Sequence, residues 1–130
     1  MGSVHADVRA LGGIMQESLS AAVNYRQLSK CFSGWQAEAL GRMTREAKAQ
    51  GACIGGICAL VMEETPTLPP AIPDTGTVAV RLKKAYARTM HLLTACEGYG
   101  TDPEYGPVFQ RLVIRQQDHC RKILEIIGSL

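Results

Sequence analysis

A chain of 130 residues is the size of one domain and long enough to bury a core. Hydrophobic residues at 46%, charged residues at 20% and aromatics at 5% describe a soluble globular chain with a bias toward helices over sheet. A formal net charge of +2 leaves no strong field to draw nucleic acid or an acidic membrane, and the cluster Arg81, Lys83, Lys84 and Arg88 reads as a solvated helix face.

The first predicted helix runs from about residue 6 to 30, with Leu11, Met15, Ser18, Ala22, Tyr25 and Leu28 facing inward. Cys31-Phe32-Ser33-Gly34 breaks the pattern. Ser33 with Gln36 three residues later forms a capping box, which starts a second helix over residues 34–63. Its stripe is Leu40, Met43, Ala47, Gln50, Ile54, Ile57 and Val61. The segment from Glu64 to Gly76 carries Pro66, Pro69, Pro70 and Pro73 and is expected to be extended. At about 3.3 Å per residue it reaches roughly 40 Å, close to the length of a bundle. The third helix can therefore start at the same end as the second and run parallel to it.

Either Asp74 or Thr77 can cap the third helix, over 77–97, whose stripe is Val78, Leu82, Ala85, Thr89, Leu92 and Cys96. Gly98-Tyr99-Gly100 ends it. Asp102 then caps a fourth helix over 103–127, with Pro103 at its first position and Gly106-Pro107 set to delay or kink the first turn. The fourth stripe is Phe109, Leu112, Gln116, His119, Ile123, Ile126 and Leu130. The expected architecture is a single all-α domain, residues 1–130, a four-helix bundle of two antiparallel pairs joined by a long Pro-rich crossover.

Five cysteines, Cys31, Cys53, Cys58, Cys96 and Cys120, are odd in number and include no Cys-x-x-Cys pair. Reduced, mostly buried thiols in a cytoplasmic protein are expected, rather than a disulfide framework or a zinc knuckle. The chain does not open with a basic region followed by an apolar stretch, so no export signal is expected. The longest apolar run, Gly51 to Met62, is too short and glycine-rich to span a bilayer. Met15, Met43 and Met90 read as core fillers, and Gly51 and Gly55 as one face for close approach of a bundle helix or a second subunit. Trp35 and Tyr99 lie where they can cover the bundle ends. His91 falls off the stripe and is expected at the surface, and His5 in a terminal arm.

Each stripe has a non-aliphatic gap near its middle: Ser18, then Ala47 and Gln50, then Thr89, then Gln116 and His119. The gaps should meet at one depth. The surroundings of these positions resemble those of a known family. Asn24-Tyr25-Arg26-Gln27-Leu28, the run from Arg45 to Cys53, Asp102-Pro103-Glu104-Tyr105 and His119 are similar to the ferritin-like, rubrerythrin-related proteins of bacteria over nearly the whole chain.

The resemblance implies a ferritin-like bundle and places the family's di-iron ligands at the six gap positions. Ser18 stands where the family has Glu, as do Ala47, Thr89 and Gln116. Gln50 stands for a His, and only His119 is retained. A di-iron site needs anionic oxygen donors, and these five replacements supply none. No metal or other cofactor is expected, and the reading is a structural or interaction protein. The alternatives are an iron-binding oxidoreductase that uses Glu17, Glu46, Glu97 and His119 in a shifted register, and a small-ligand module that uses the emptied centre. A homodimer with an unidentified protein partner, and no nucleic acid or membrane, completes the expectation. His119 is expected to be neutral and to lack a carboxylate partner, with Asp118 pointing away.

Overall fold

The protein, a computed structural model, is described over residues 8–63 and 67–130. It consists of helices α1 (Val8–Ser29), α2 (Trp35–Met62), α3 (Val78–Glu97) and α4 (Gly106–Gly128), with no strand among the described residues. The expected start of the first helix at residue 6, His5, and Glu64 to Pro66 of the Pro-rich segment lie outside the described residues.

The helix starts show how local chemistry departs from simple pattern. The Ser33–Gln36 box does not form. Gly34 takes the N-cap position of α2 at φ 74°, and no side chain caps that helix. Gln36 instead donates to Ser129 Oγ at 3.4 Å. α3 is capped by Thr77, whose hydroxyl accepts from the Val80 amide at 3.2 Å.

α4 does not start at Pro103. Asp102 Oδ2 accepts from the amides of Glu104 at 3.0 Å and Tyr105 at 2.7 Å, but this closes a turn rather than a helix. The helix waits for Gly106 because the chain folds back there onto the preceding turn. A Cβ at residue 106 would lie 2.8 Å from the carbonyl oxygen of Gly100.

α1 and α2 are the most intimately packed pair, and α2 and α4 the most widely spaced of the touching pairs. The glycine face of α2 explains the first. A Cβ at Gly51 would lie 2.7 Å from Leu19 Cδ2, and one at Gly55 would lie 3.1 Å from Met15 Cε. These glycines serve the neighbouring helix of the same chain, which removes them as a surface for a second subunit.

α1 and α3 are antiparallel, since Cys31 lies beside Arg81 (3.6 Å) and Glu17 beside Arg88 (3.9 Å). α2 and α4 are antiparallel too, pairing Gln36 with Ser129, Arg42 with Asp118 and Gln50 with Gln116. Just before α3, the Asp74 amide donates to Asn24 Oδ1 at 2.7 Å and its carboxylate accepts from Arg88 at 2.7 Å. That clasp fastens the approach to α3 against α1.

The stripes are buried, except that Met15, Val61 and Val78 are half-buried and Leu130 is exposed. Met43 is a core filler, but Met90 faces solvent. Tyr99 is buried against Phe109, with ring centroids 5.1 Å apart, and closes one end. Trp35 is 46% exposed and lies at the surface beside Arg42 and Lys122. No helix of the described residues is long and apolar enough to cross a membrane.

Two glycines separate the packing effect from the propensity effect. Gly106→Ala should cost about 1–3 kcal/mol, because the carbonyl of Gly100 is backbone and cannot rotate away. Gly56→Ala meets nothing within 4 Å and should stabilise by up to about 1 kcal/mol. Urea denaturation of both variants checks the pair. Equal effects would contradict the close turn at Gly106.

Candidate functional site

Ser18, Ala47, Gln50, Thr89, Gln116 and His119 are all buried, none more than 3% exposed. They form two sets. In the first, Ser18 Oγ donates to the carbonyl of Ile14 at 2.8 Å, the ordinary back-bond of a serine within a helix. With its one proton used, Ser18 accepts from Gln50 Nε2 at 2.9 Å. Gln50 Oε1 in turn accepts from Gln116 Nε2 at 2.5 Å. One neutral chain thus runs from α1 through α2 to α4. Ala47 adds no polar atom.

In the second set, Thr89 Oγ1 donates to Ala85 O at 2.8 Å, which leaves it to accept from the Tyr25 hydroxyl at 2.5 Å. Burial pushes the Tyr25 phenol well above its ordinary pKa. The rings of Tyr25 and His119 pack perpendicular to each other, at a centroid distance of 5.5 Å and an angle of 89°. Tyr25, read from the sequence only as a core residue, is therefore the link between Thr89 and His119. Among the described residues, none of these side chains leaves a fully buried polar atom unpaired. The groove of about 470 Å³ lined by Gly13, Ile14, Leu92 and Ala95 lies away from it, between α1 and α3.

His119 does have a carboxylate partner. Its Nε2 lies 2.9 Å from Glu46 Oε1. Arg42 Nη1 donates to the same Glu46 oxygen and to Asp118 Oδ2, at 3.1 Å each, and Arg121 donates to Asp118 Oδ1 at 2.6 Å. The expectation of an isolated imidazole is thus corrected. α2 passes α4 at a distance that side chains span, so Glu46 reaches across although it stands one residue beside the buried stripe. Asp118, expected to point away, joins the same cluster. One oxygen of Glu46, one of Asp118 and one ring nitrogen of His119 lie within 4.8 Å of one another.

Burial still dominates the imidazole and pushes its pKa below the ordinary value, against the pull of Glu46. A neutral ring facing a carboxylate must carry its proton on Nε2 and donate. For Asp118, burial opposes ionisation, but the hydrogen bonds from Arg121 and Arg42 outweigh it and hold the carboxyl below its ordinary range.

Of the remaining shifted-register candidates, Glu17 lies beside Arg88 on the α1/α3 side, and Glu97 is exposed at the last residue of α3, eight positions beyond Thr89. Neither belongs to the Glu46–Asp118–His119 group. His91 is exposed. Arg42 is the member of this cluster that the spacing of the stripes does not single out. The signal was present in the Arg42–Glu46 spacing of four, which on a helix sets the two charges side by side. Cys58, Cys96 and Cys120 are buried, and burial raises the Cys96 thiol to about 12, while Cys31 and Cys53 are exposed. All five are free, and none joins the centre's hydrogen bonds. Comparison with family models, with curated proteins and with solved structures returns no match for this chain.

The lowered pKa of His119 makes a signed prediction. The unfolded chain takes up a proton near pH 6.5, where the folded chain does not. Stability from this residue is complete above that pH and declines as pH falls through it toward the folded value. His119→Gln should flatten the fall in melting temperature between about pH 7 and pH 5. An NMR titration that gave His119 a pKa above about 6.5 would contradict the dominance of burial.

Proposed function

We propose that the chain is a ferritin-like four-helix bundle whose di-iron centre has been lost, and that it serves as a non-catalytic structural or interaction protein. The observation that carries this reading is the Gln116–Gln50–Ser18 chain. Three positions that would hold charged or metal-bound groups carry neutral side chains that hydrogen-bond in series, with the last proton delivered to the Ile14 carbonyl. Such a centre is complete without an ion.

The helix pairing supports the topology. α3 starts beside the end of α1, which is also the end at which α2 starts. α2, with 28 residues, is about 42 Å long. The 15 residues from Glu63 to Thr77 reach about 50 Å when extended, so we assign them as the Pro-rich crossover. Free thiols fit a reducing compartment, and we place the protein in the cytoplasm on that ground. For self-association we favour the exposed stripe Ala49, Ala52, Cys53, Gly56 and Leu60 of α2, where Leu60 is 74% exposed.

Restoration tests the reading. The variant Ser18→Glu, Ala47→Glu, Gln50→His, Thr89→Glu, Gln116→Glu rebuilds four carboxylates and two imidazoles at the centre. Without metal it should be strongly destabilised by buried like charges. Ferrous iron should return part of that stability, because an ion bound only to the folded state adds to folding free energy. The parent chain should show no rise in melting temperature with a few equivalents of ferrous iron. A variant that folds but gains nothing from iron would remove the ferritin-like assignment.

A further inference from the structure

The cluster at the edge of the centre has a second property, independent of the ferritin-like reading. Glu46 comes from α2, and Asp118 and His119 from α4, and their donor atoms converge within 4.8 Å. Donors of this kind on a single tetrahedral zinc-type ion stand about 2.0–2.2 Å from it, hence about 3.3–3.6 Å from one another. Side-chain rotations alone close that difference. The imidazole is fixed: it is 1% exposed, and the Tyr25 ring packs perpendicular to it. The two carboxylates are half-buried, and a cleft of about 300 Å³ lined by Glu46, Ile114 and Asp118 opens beside them.

A cation already sits between the carboxylates. The two N–H groups of a single nitrogen, Arg42 Nη1, point to Glu46 Oε1 and Asp118 Oδ2 at 3.1 Å each. Among the described residues, no other side chain bridges both carboxylates. Arg42 is 39% exposed along its side chain, so it can swing into solvent without unpacking the core. Half-exposed ion pairs of this sort hold their partners weakly.

We propose that Glu46, Asp118 and His119 form a site for one divalent transition-metal ion, and that the guanidinium of Arg42 occupies the cation position and competes with the metal for it. One imidazole nitrogen with two carboxylate oxygens suits zinc, cobalt or nickel rather than magnesium or calcium. Metal entry moves Arg42 out and shifts the His119 proton from Nε2 to Nδ1, with the ring neutral throughout. Arg121 remains on the far oxygen of Asp118. Arg111 and Arg115 line the same cleft and repel a cation, which keeps the parent chain a poor metal binder while Arg42 stays in place.

Cobalt(II) titration of the full chain, read by visible absorption, tests the competition. Arg42→Leu keeps the apolar stem and removes the charge. It should bind a single ion per chain at least about tenfold more tightly than the parent, a difference of about 1.4 kcal/mol. The d–d bands should appear without the near-ultraviolet band of cobalt thiolate, and His119→Gln added to Arg42→Leu should abolish them. Arg42→Gln serves if circular dichroism shows that the leucine variant is unfolded. Absence of saturable binding in the Arg42 variants, equal affinity in parent and variant, a thiolate band, or a signal that survives His119→Gln would each overturn the proposal.

Discussion

The amide of Gln50 stands between Ser18 and Gln116, and the closure of the bundle depends on how those three side chains are ordered. A buried polar group left unmatched costs about 1–3 kcal/mol, and helix backbone offers only a shared carbonyl one turn back, which a serine or threonine can reach but a glutamine amide in the core does not use here. Ser18 resolves the direction of the whole chain by giving its proton to Ile14. Gln50 can then donate only toward Ser18 and must accept from Gln116. The amide orientation follows from the serine, and the serine's role follows from its place in a helix.

The same constraint explains why the two sides of α2 differ. Toward α1 it presents Gly51 and Gly55, and the backbones close on Leu19 and Met15. Toward α4 the gap is wider, and long polar side chains bridge it: Gln50 to Gln116, Glu46 to His119, Arg42 to Asp118. Polarity increases outward along this seam. Neutral amides lie at the centre, the imidazole comes next, and half-exposed ion pairs occupy the rim. The arrangement keeps charge where water can still reach it.

Helix existence and the inward faces were legible because spacing of three and four residues reports burial directly, as at Phe109, Leu112, Gln116, His119, Ile123 and Ile126. The gap positions were legible for the same reason. What the periodicity could not convey was contact across helices. It made His119 an isolated ring, because Glu46 is off the stripe and only the spacing between α2 and α4 lets it reach inward. The helix starts were misread where a glycine's close approach outranks capping chemistry, as at Gly106, or where a glycine displaces a serine, as at Gly34. Met90 was misassigned because hydrophobicity alone does not set the face a side chain occupies.

A double-mutant cycle on Gln50→Leu and Gln116→Leu measures the central interaction directly. Each single change leaves the other amide with an unmet buried group, and each should cost about 1–3 kcal/mol by urea denaturation. The double variant removes both, and Ser18 still has the Ile14 carbonyl, so the pair should show a coupling energy of about 1 kcal/mol or more. Additivity to within about 0.3–0.5 kcal/mol would mean that the two amides do not depend on each other, and would contradict a bundle held at its centre by a neutral hydrogen-bonded chain.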